Sequence, residues 1–190
     1  MAPSLFVLGG ARSGKSRFAV TDPLLRGRVA FVATARAADG DMARRIERHR
    51  AERPRHWTTI EEPYDLVAHL ARLTGAYDAV VVDCLTLWVS NRLLRGDGEV
   101  ALLEEAEALA TLIGRRAFAL TLVSNEVGEG VHPETDIGIR FRDLLGFVNQ
   151  KVAAACDRVV LMIAGLPVTL KSVTPPSGSG RPDAGALQSP

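Results

Sequence analysis

An α/β fold, with a mainly parallel sheet carrying helices on both faces, is predicted by three observations. Five short apolar runs do not alternate with polar residues, as expected of strands covered on both faces. Amphipathic segments at helical spacing separate them, the pattern of strand–helix crossovers. A glycine-rich stretch of the form G-x-x-x-x-G-K-[ST] follows the first run directly, which marks a phosphate-binding loop between a strand and a helix. The expected class is therefore a P-loop-containing nucleotide-binding fold.

The strands are expected at Leu5–Leu8, Val29–Ala33, Ala79–Val82, Ala117–Val123 and Arg158–Ile163, all rich in Val, Leu, Ile and Phe. A first helix opens at the glycine-rich loop and is cut short by Pro23. Asp41–Arg53 is a helix stopped by Pro54, and Tyr64–Leu73 is one that follows Pro63 and ends at Gly75. Glu99–Ile113 carries Glu104, Glu105 and Glu107 on its expected wet side. In Ile137–Cys156 the positions Ile137, Phe141, Leu144, Leu145, Val148 and Val152 hold a 3.6-residue period. After Lys171 the composition turns to Pro, Gly, Ser and Ala without an apolar period. Residues 1–171 therefore read as one domain, and 172–190 as a disordered tail unable to bury enough surface to offset its ordering entropy.

With 190 residues, the chain is long enough to bury a core. Its formal net charge of +1 gives no global pull toward nucleic acid or an acidic membrane. The two cysteines, Cys84 and Cys156, form neither a metal-ligand pair nor a disulfide framework, and both are expected to be buried thiols. The first residues run into a strand without the pattern of a secretory leader. No apolar run approaches the roughly 18–20 residues that span a bilayer. A cytoplasmic location is the resulting expectation.

The loop Gly9-Gly10-Ala11-Arg12-Ser13-Gly14-Lys15-Ser16 has a task for each residue type. Its glycines let main-chain N–H groups converge on phosphate oxygens without a Cβ in the way. Lys15 suits the β- and γ-phosphates, and the Ser16 hydroxyl suits Mg²⁺. A helix starting here points its positive end at the anion. Such a loop needs a carboxylate at a neighbouring strand end to hold hydrated Mg²⁺, and Asp83, closing Val80-Val81-Val82, supplies one; the alternative is an N-cap for the next segment. Asn125 and Glu126 end another strand at the same edge, where open α/β sheets bind ligands. They either contact substrate or metal, or begin a turn. No N-K-x-D guanine-reading motif is present.

The most unusual stretch is Met42–Arg53, with Arg44, Arg45, Arg48, Arg50 and Arg53 around His49. At 100° per residue Met42, Ile46, His49 and Arg53 share one helical face. Two readings fit. One is a solvated charged helix with a half-buried His49. In the other, arginines gather phosphates while His49 moves a proton or attacks phosphorus, as imidazole can near neutral pH.

Several segments together carry a resemblance: GGARSGKSRFA at Gly9–Ala19, VATA at Val32–Ala35, RRIERHRAERPRHWTTIEEP at Arg44–Pro63, VVVDCLTLWVSN at Val80–Asn91, SNEVGEGVHPE at Ser124–Glu134, and FRDLLGFVNQKVAAACDRVVLMIAGLP at Phe141–Pro167. In this order the chain, over about Leu5–Lys171, resembles the bifunctional adenosylcobinamide kinase/adenosylcobinamide-phosphate guanylyltransferase family of cobalamin biosynthesis. The resemblance implies phosphorylation of adenosylcobinamide by ATP or GTP, then transfer of GMP from GTP to the product through a guanylylated histidine. It places that histidine at His49. Nucleotide contacts fall on Gly9, Gly10, Ala11, Arg12, Ser13, Gly14, Lys15, Ser16, Ala33, Thr34, Ala35, Arg50, Ala51, Glu52, Arg53, Glu61 and Asp83, with Mg²⁺ at Ser16 and Asp83, partly through water. A homotrimer is implied too. The rival expectations are a plain small-molecule P-loop kinase with a structural His49, and a nucleotide-hydrolysing switch that binds a protein partner.

Overall fold

A computed structural model describes residues 2–36, 50 and 53–172. Among these, seven strands form one sheet: β1 Ser4–Gly9, β2 Val29–Ala33, β3 Thr58–Glu61, β4 Ala79–Asp83, β5 Ala119–Val123, β6 Arg158–Ile163 and β7 Leu166–Ser172. Their spatial order is β3-β2-β4-β5-β1-β6-β7. All neighbours run parallel except the β6–β7 hairpin. The helices are α1 Lys15–Val20, α2 Leu66–Arg72, α3 Leu85–Arg95, α4 Glu99–Arg115 and α5 Asp136–Ala155.

Strand side chains alternate between two cores, as the period of two requires. Phe6 and Leu8 of β1 enter the larger core with Leu66, Trp88, Leu102, Leu109, Leu145 and Val148 from α2, α3, α4 and α5. Leu5 and Val7 face the other way, toward Ala19 of α1, Val160 and Met162. Helices thus cover both faces, and the parallel α/β class expected from the apolar runs is the one observed.

The differences from expectation are local. β3 is short and partly exposed, so it carries no apolar run to betray it. In β7, Leu166, Val168 and Leu170 alternate with other residues on an exposed edge strand. Helix α3 starts one residue after β4, with no side-chain cap at Cys84, which leaves no boundary signal. Pro23 does end the first helical region early, at Val20. Glu105 is not on a wholly wet face, because its carboxylate lies 3.6 Å from the buried Arg92. The expected helix Asp41–Arg53 falls mainly outside the described residues, as does the expected tail beyond Ser172.

Candidate functional site

Parallel strands end together, so β1 through β5 deliver their C-terminal residues to one edge. Gly9, Ala33, Glu61 and Asp83 close β1, β2, β3 and β4. Ala33 is in register with both Glu61 and Asp83. The loop Gly9–Ser16 folds over this edge. Gly9 has φ of 150°, and a Cβ there would meet the Met162 carbonyl oxygen at 2.5 Å and Ser13 Oγ at 2.7 Å. That approach leaves room for glycine alone. Gly14 at φ 95° and Arg12 at φ 58° are left-handed, which turns successive N–H groups inward as an anion nest.

The loop is braced by main chain. Glu126 N–H donates to the Gly9 carbonyl at 3.1 Å, and Gly165 N–H to the Ser13 carbonyl at 3.0 Å. Lys15 is 8% exposed and donates from Nζ to the Gly10 carbonyl at 2.6 Å. Burial lowers its proton affinity below the ordinary lysine value, opposed by the electrostatics of Cys84 and Asp83. Ser16 stands half-buried in the first turn of α1.

On the other half of the edge, contacts come from side chains. Thr34, fully buried, donates its hydroxyl to the Cys84 carbonyl at 2.7 Å and accepts from Cys84 N–H at 2.8 Å. Its own N–H donates to the Asp83 carbonyl at 3.1 Å. Both donors of Thr34 are thus committed to the β4–α3 junction. Asn91 Nδ2 donates to the Thr34 carbonyl at 2.8 Å and the Pro63 carbonyl at 3.2 Å. The Cys84 thiol is pushed up to about 12, by burial first and by Asp83 next; it remains a neutral thiol near pH 7. The thiol is buried as expected although Cys84 as a whole is half-buried, and Cys156 is buried.

Arg53 links this half to the arginine-rich segment. Its guanidinium carbon lies 3.6 Å from the Phe31 ring centroid, a cation–π contact, and Nη1 reaches Thr59 Oγ1 at 3.4 Å. Burial lowers its proton affinity; Asp83 opposes this, Arg50 adds to it, and Glu61 opposes it. Arg53 Nε is buried without a partner among the described residues. Ala35 is half-buried just past β2. His49, Ala51 and Glu52 lie outside the described residues.

Asn125 and Glu126 sit where expected, just past the end of β5, and their bonds are partly those of a turn and partly tertiary, the Asn125 carbonyl accepting from Asn149 Nδ2 at 3.0 Å. Glu126 Oε1 accepts from Gly128 N–H at 2.8 Å, and Asn125 N–H donates to Thr86 Oγ1 at 2.7 Å. The histidines away from this edge are spoken for or exposed: His69 lies 3.7 Å from Glu62, His132 meets Arg142, and His56 is exposed. Among the described residues, no group of three His, Cys, Asp or Glu is placed to hold a metal by itself. That fits a Mg²⁺ held by one carboxylate, one hydroxyl, water and nucleotide phosphates rather than by a protein cage.

An edge built this way belongs to a P-loop nucleotide-binding α/β protein. The model of one family, cobinamide kinase / cobinamide phosphate guanyltransferase, matches residues 5–170, and the chain belongs to that family. It is 47% identical over 166 residues to the bifunctional adenosylcobalamin biosynthesis protein CobP of Pseudomonas aeruginosa, covering 87% of this chain and 95% of that one. It is 36% identical over 179 residues to the protein of the same description, CobU, of Escherichia coli K12, covering 88% of this chain and 99% of that one. Among solved structures, it is similar to an ATPase from the type III secretion system of pathogenic bacteria, at 10% identity and a TM-score of 0.47, over 88% of this chain and 56% of that one. So low a likeness carries no argument. No described helix is long and apolar enough to cross a membrane.

Proposed function

We propose that this chain phosphorylates adenosylcobinamide and then converts the phosphate to adenosylcobinamide-GDP. The reading is carried by the placement of the Gly9–Ser16 loop after β1, Asp83 at the end of β4 and Arg53 on the Phe31 ring of β2 along one sheet, in a chain of this family. In the first reaction the aminopropanol hydroxyl attacks the γ-phosphorus of ATP or GTP, and the nucleoside diphosphate leaves. Little covalent chemistry is asked of the protein here, so positioning and charge neutralisation do most of the work. Lys15 and the loop N–H groups hold the β- and γ-phosphates. Mg²⁺ would be held by Ser16 and Asp83, partly through water, and would supply further charge neutralisation.

In the second reaction attack moves to the α-phosphorus of GTP. A ring nitrogen of His49 displaces pyrophosphate and carries GMP. The phosphate oxygen of adenosylcobinamide phosphate then attacks the same phosphorus and frees the imidazole. Splitting the transfer in this way is ordinary nucleophilic catalysis, and Arg50 and Arg53 supply positive charge for the pentavalent centre. Ala33, Thr34, Ala35, Ala51, Glu52 and Glu61 complete the nucleotide contacts. We assign the chain to the cytoplasm, where its nucleotide donors are, and to a homotrimer. The exposed apolar residues Leu166, Val168 and Leu170 on the edge strand β7 suit burial against a second copy; a monomeric mass in sedimentation would remove that part.

The test is GTP labelled at the α-phosphate. The intact protein should take up label that is lost in acid and kept in alkali, the behaviour of a phosphoramidate, and pass it to adenosylcobinamide phosphate. His49→Asn should lose both while keeping part of the kinase activity, because γ-transfer needs no nitrogen nucleophile. Acid-labile guanylate on the Asn variant would overturn the role of His49. γ-Transfer with no covalent nucleotide would leave the plain kinase reading.

A further inference from the structure

We propose that Asn91 is a positioning residue of the nucleotide site, whose amide clamps together the loops leaving β2 and β3; the inference rests on the nucleotide contacts assigned to those loops above. Main-chain pairing between the two strands runs out here. Ala33 and Glu61 are the last residues in register, and Glu62 N–H to the Ala33 carbonyl, at 2.9 Å, follows as the final bond. Beyond it the chains are joined through Asn91, which uses the two hydrogens of a single Nδ2: one on the Thr34 carbonyl at 2.8 Å, the other on the Pro63 carbonyl at 3.2 Å.

The clamp has a fixed base. Asn91 sits on α3, which begins immediately after the Asp83–Cys84 junction. Thr34 grips both polar main-chain groups of Cys84. The ladder sets Ala33, Glu61 and Asp83 side by side, and just past it Thr34 and Asn91 tie together the segments that follow β2, β3 and β4. Trp88 Nε1 and Arg92 Nη1 of the same helix hold the next carbonyl, that of Tyr64, at 2.8 and 3.3 Å, but of these side chains Asn91 alone reaches the loop after β2 as well. Neither Thr34 nor Asn91 is bonded to the phosphate loop, which is braced separately by Glu126 and Gly165. Asn91 is half-buried and bonds carbonyls that water can also satisfy. Its loss should loosen the loop spacing more than it weakens the fold.

Asn91→Asp keeps the shape but sets a carboxylate against two carbonyl oxygens, acceptor against acceptor. Asn91→Ser is too short to bridge them and tests the same point with a gentler change. Two probes separate the halves of the site: GTP, which spans both, and inorganic tripolyphosphate, which engages the phosphate loop alone. In the full-length protein freed of divalent metal, so that Asp83 takes no part in phosphate binding, both variants should bind GTP about tenfold more weakly, the effect of one or two lost hydrogen bonds, and bind tripolyphosphate as the unaltered protein does. Unchanged GTP affinity overturns the clamp. Equal weakening of both ligands also overturns it, since that is damage to the cradle or the fold. This readout needs neither catalytic activity. Absence of kinase and transfer activity in the unaltered protein would sink the proposed function, while the GTP-to-tripolyphosphate split would still judge Asn91.

Discussion

The phosphate loop, on the β5-β1-β6 half of the strand edge, and the loops after β2, β3 and β4 on the other half are built in different ways. The phosphate loop is one contiguous octapeptide whose conformation comes from glycine and whose bracing comes from main-chain bonds at Gly9 and Ser13. The second half is assembled from Thr34, Pro63, Cys84 and Asn91, residues far apart in sequence, joined by side-chain bonds. The first half presents anion-binding groups that any triphosphate satisfies. The second depends on each side chain that holds it.

The largest effect expected from this contrast is at Lys15. Lys15→Ala removes the buried ammonium that we assign to the β- and γ-phosphates. Kinase kcat/KM should fall by roughly 10²–10³, the scale of losing one electrostatic stabiliser of the transition state. Thermal stability should hold or rise, because a buried, desolvated charge is removed. Near-normal turnover in the folded variant would break the assignment of this half to phosphate chemistry.

On the other half the balance should reverse. Thr34→Val is nearly isosteric at a fully buried position, but it strands the N–H of Cys84, while the Cys84 carbonyl keeps the Trp88 N–H at 3.2 Å. Leaving that partly buried N–H unsatisfied costs about 1–3 kcal/mol. A denaturant midpoint should show that loss directly. GTP affinity should weaken alongside it as Asp83 and Ala35 lose their common reference. A Thr34→Val protein of unchanged stability would mean that the two halves are not held differently after all.

The same contrast explains what was legible in the sequence. Gly9–Ser16 could be placed after β1 because its motif lies in adjacent residues, and Asp83 at the end of β4 because Val80-Val81-Val82 marks the strand. Strands β1, β2, β4, β5 and β6 announced themselves as unbroken apolar runs, since burial on both faces suppresses alternation. β3 did not, because Thr58–Glu61 is a partly exposed strand. Helix α3 was hidden by its abrupt start after Asp83. With it went Asn91, whose partners at Thr34 and Pro63 can be known only once the chain has folded. The resemblance had drawn in the Val80–Asn91 segment as a block, without a reason for its last residue. Arg53 was read as one more member of a basic helix; its seat on Phe31 beside Asp83 is a tertiary fact.

The smallest effect is expected at the far end of α3, where the second half of the site meets the solvent. Asp97 receives Arg95 Nε at 2.9 Å and Nη2 at 2.7 Å, and also the buried Arg92. The hydrogen bond from Arg95 is the largest cause holding its carboxyl down to about 2, with Arg92 adding to it. Because the folded value lies below the unfolded reference of 3.8, Asp97 contributes stability that is complete above pH 3.8 and is lost as the pH falls through about 2. Asp97→Asn should therefore lower the urea midpoint at pH 6, and the gap from the unaltered protein should narrow between pH 4 and 2. GTP affinity at pH 7 should not move, because Asp97 braces the C-terminal end of α3 while Asn91 and the Cys84 junction set the loops. A gap that is constant down to pH 2 would mean that the variant's cost lies in packing rather than in the carboxylate. A weakened GTP affinity would extend the side-chain-built half of the site one further turn along the helix, to Arg92, Arg95 and the Tyr64 ring whose centroid lies 4.6 Å from the Arg95 guanidinium carbon.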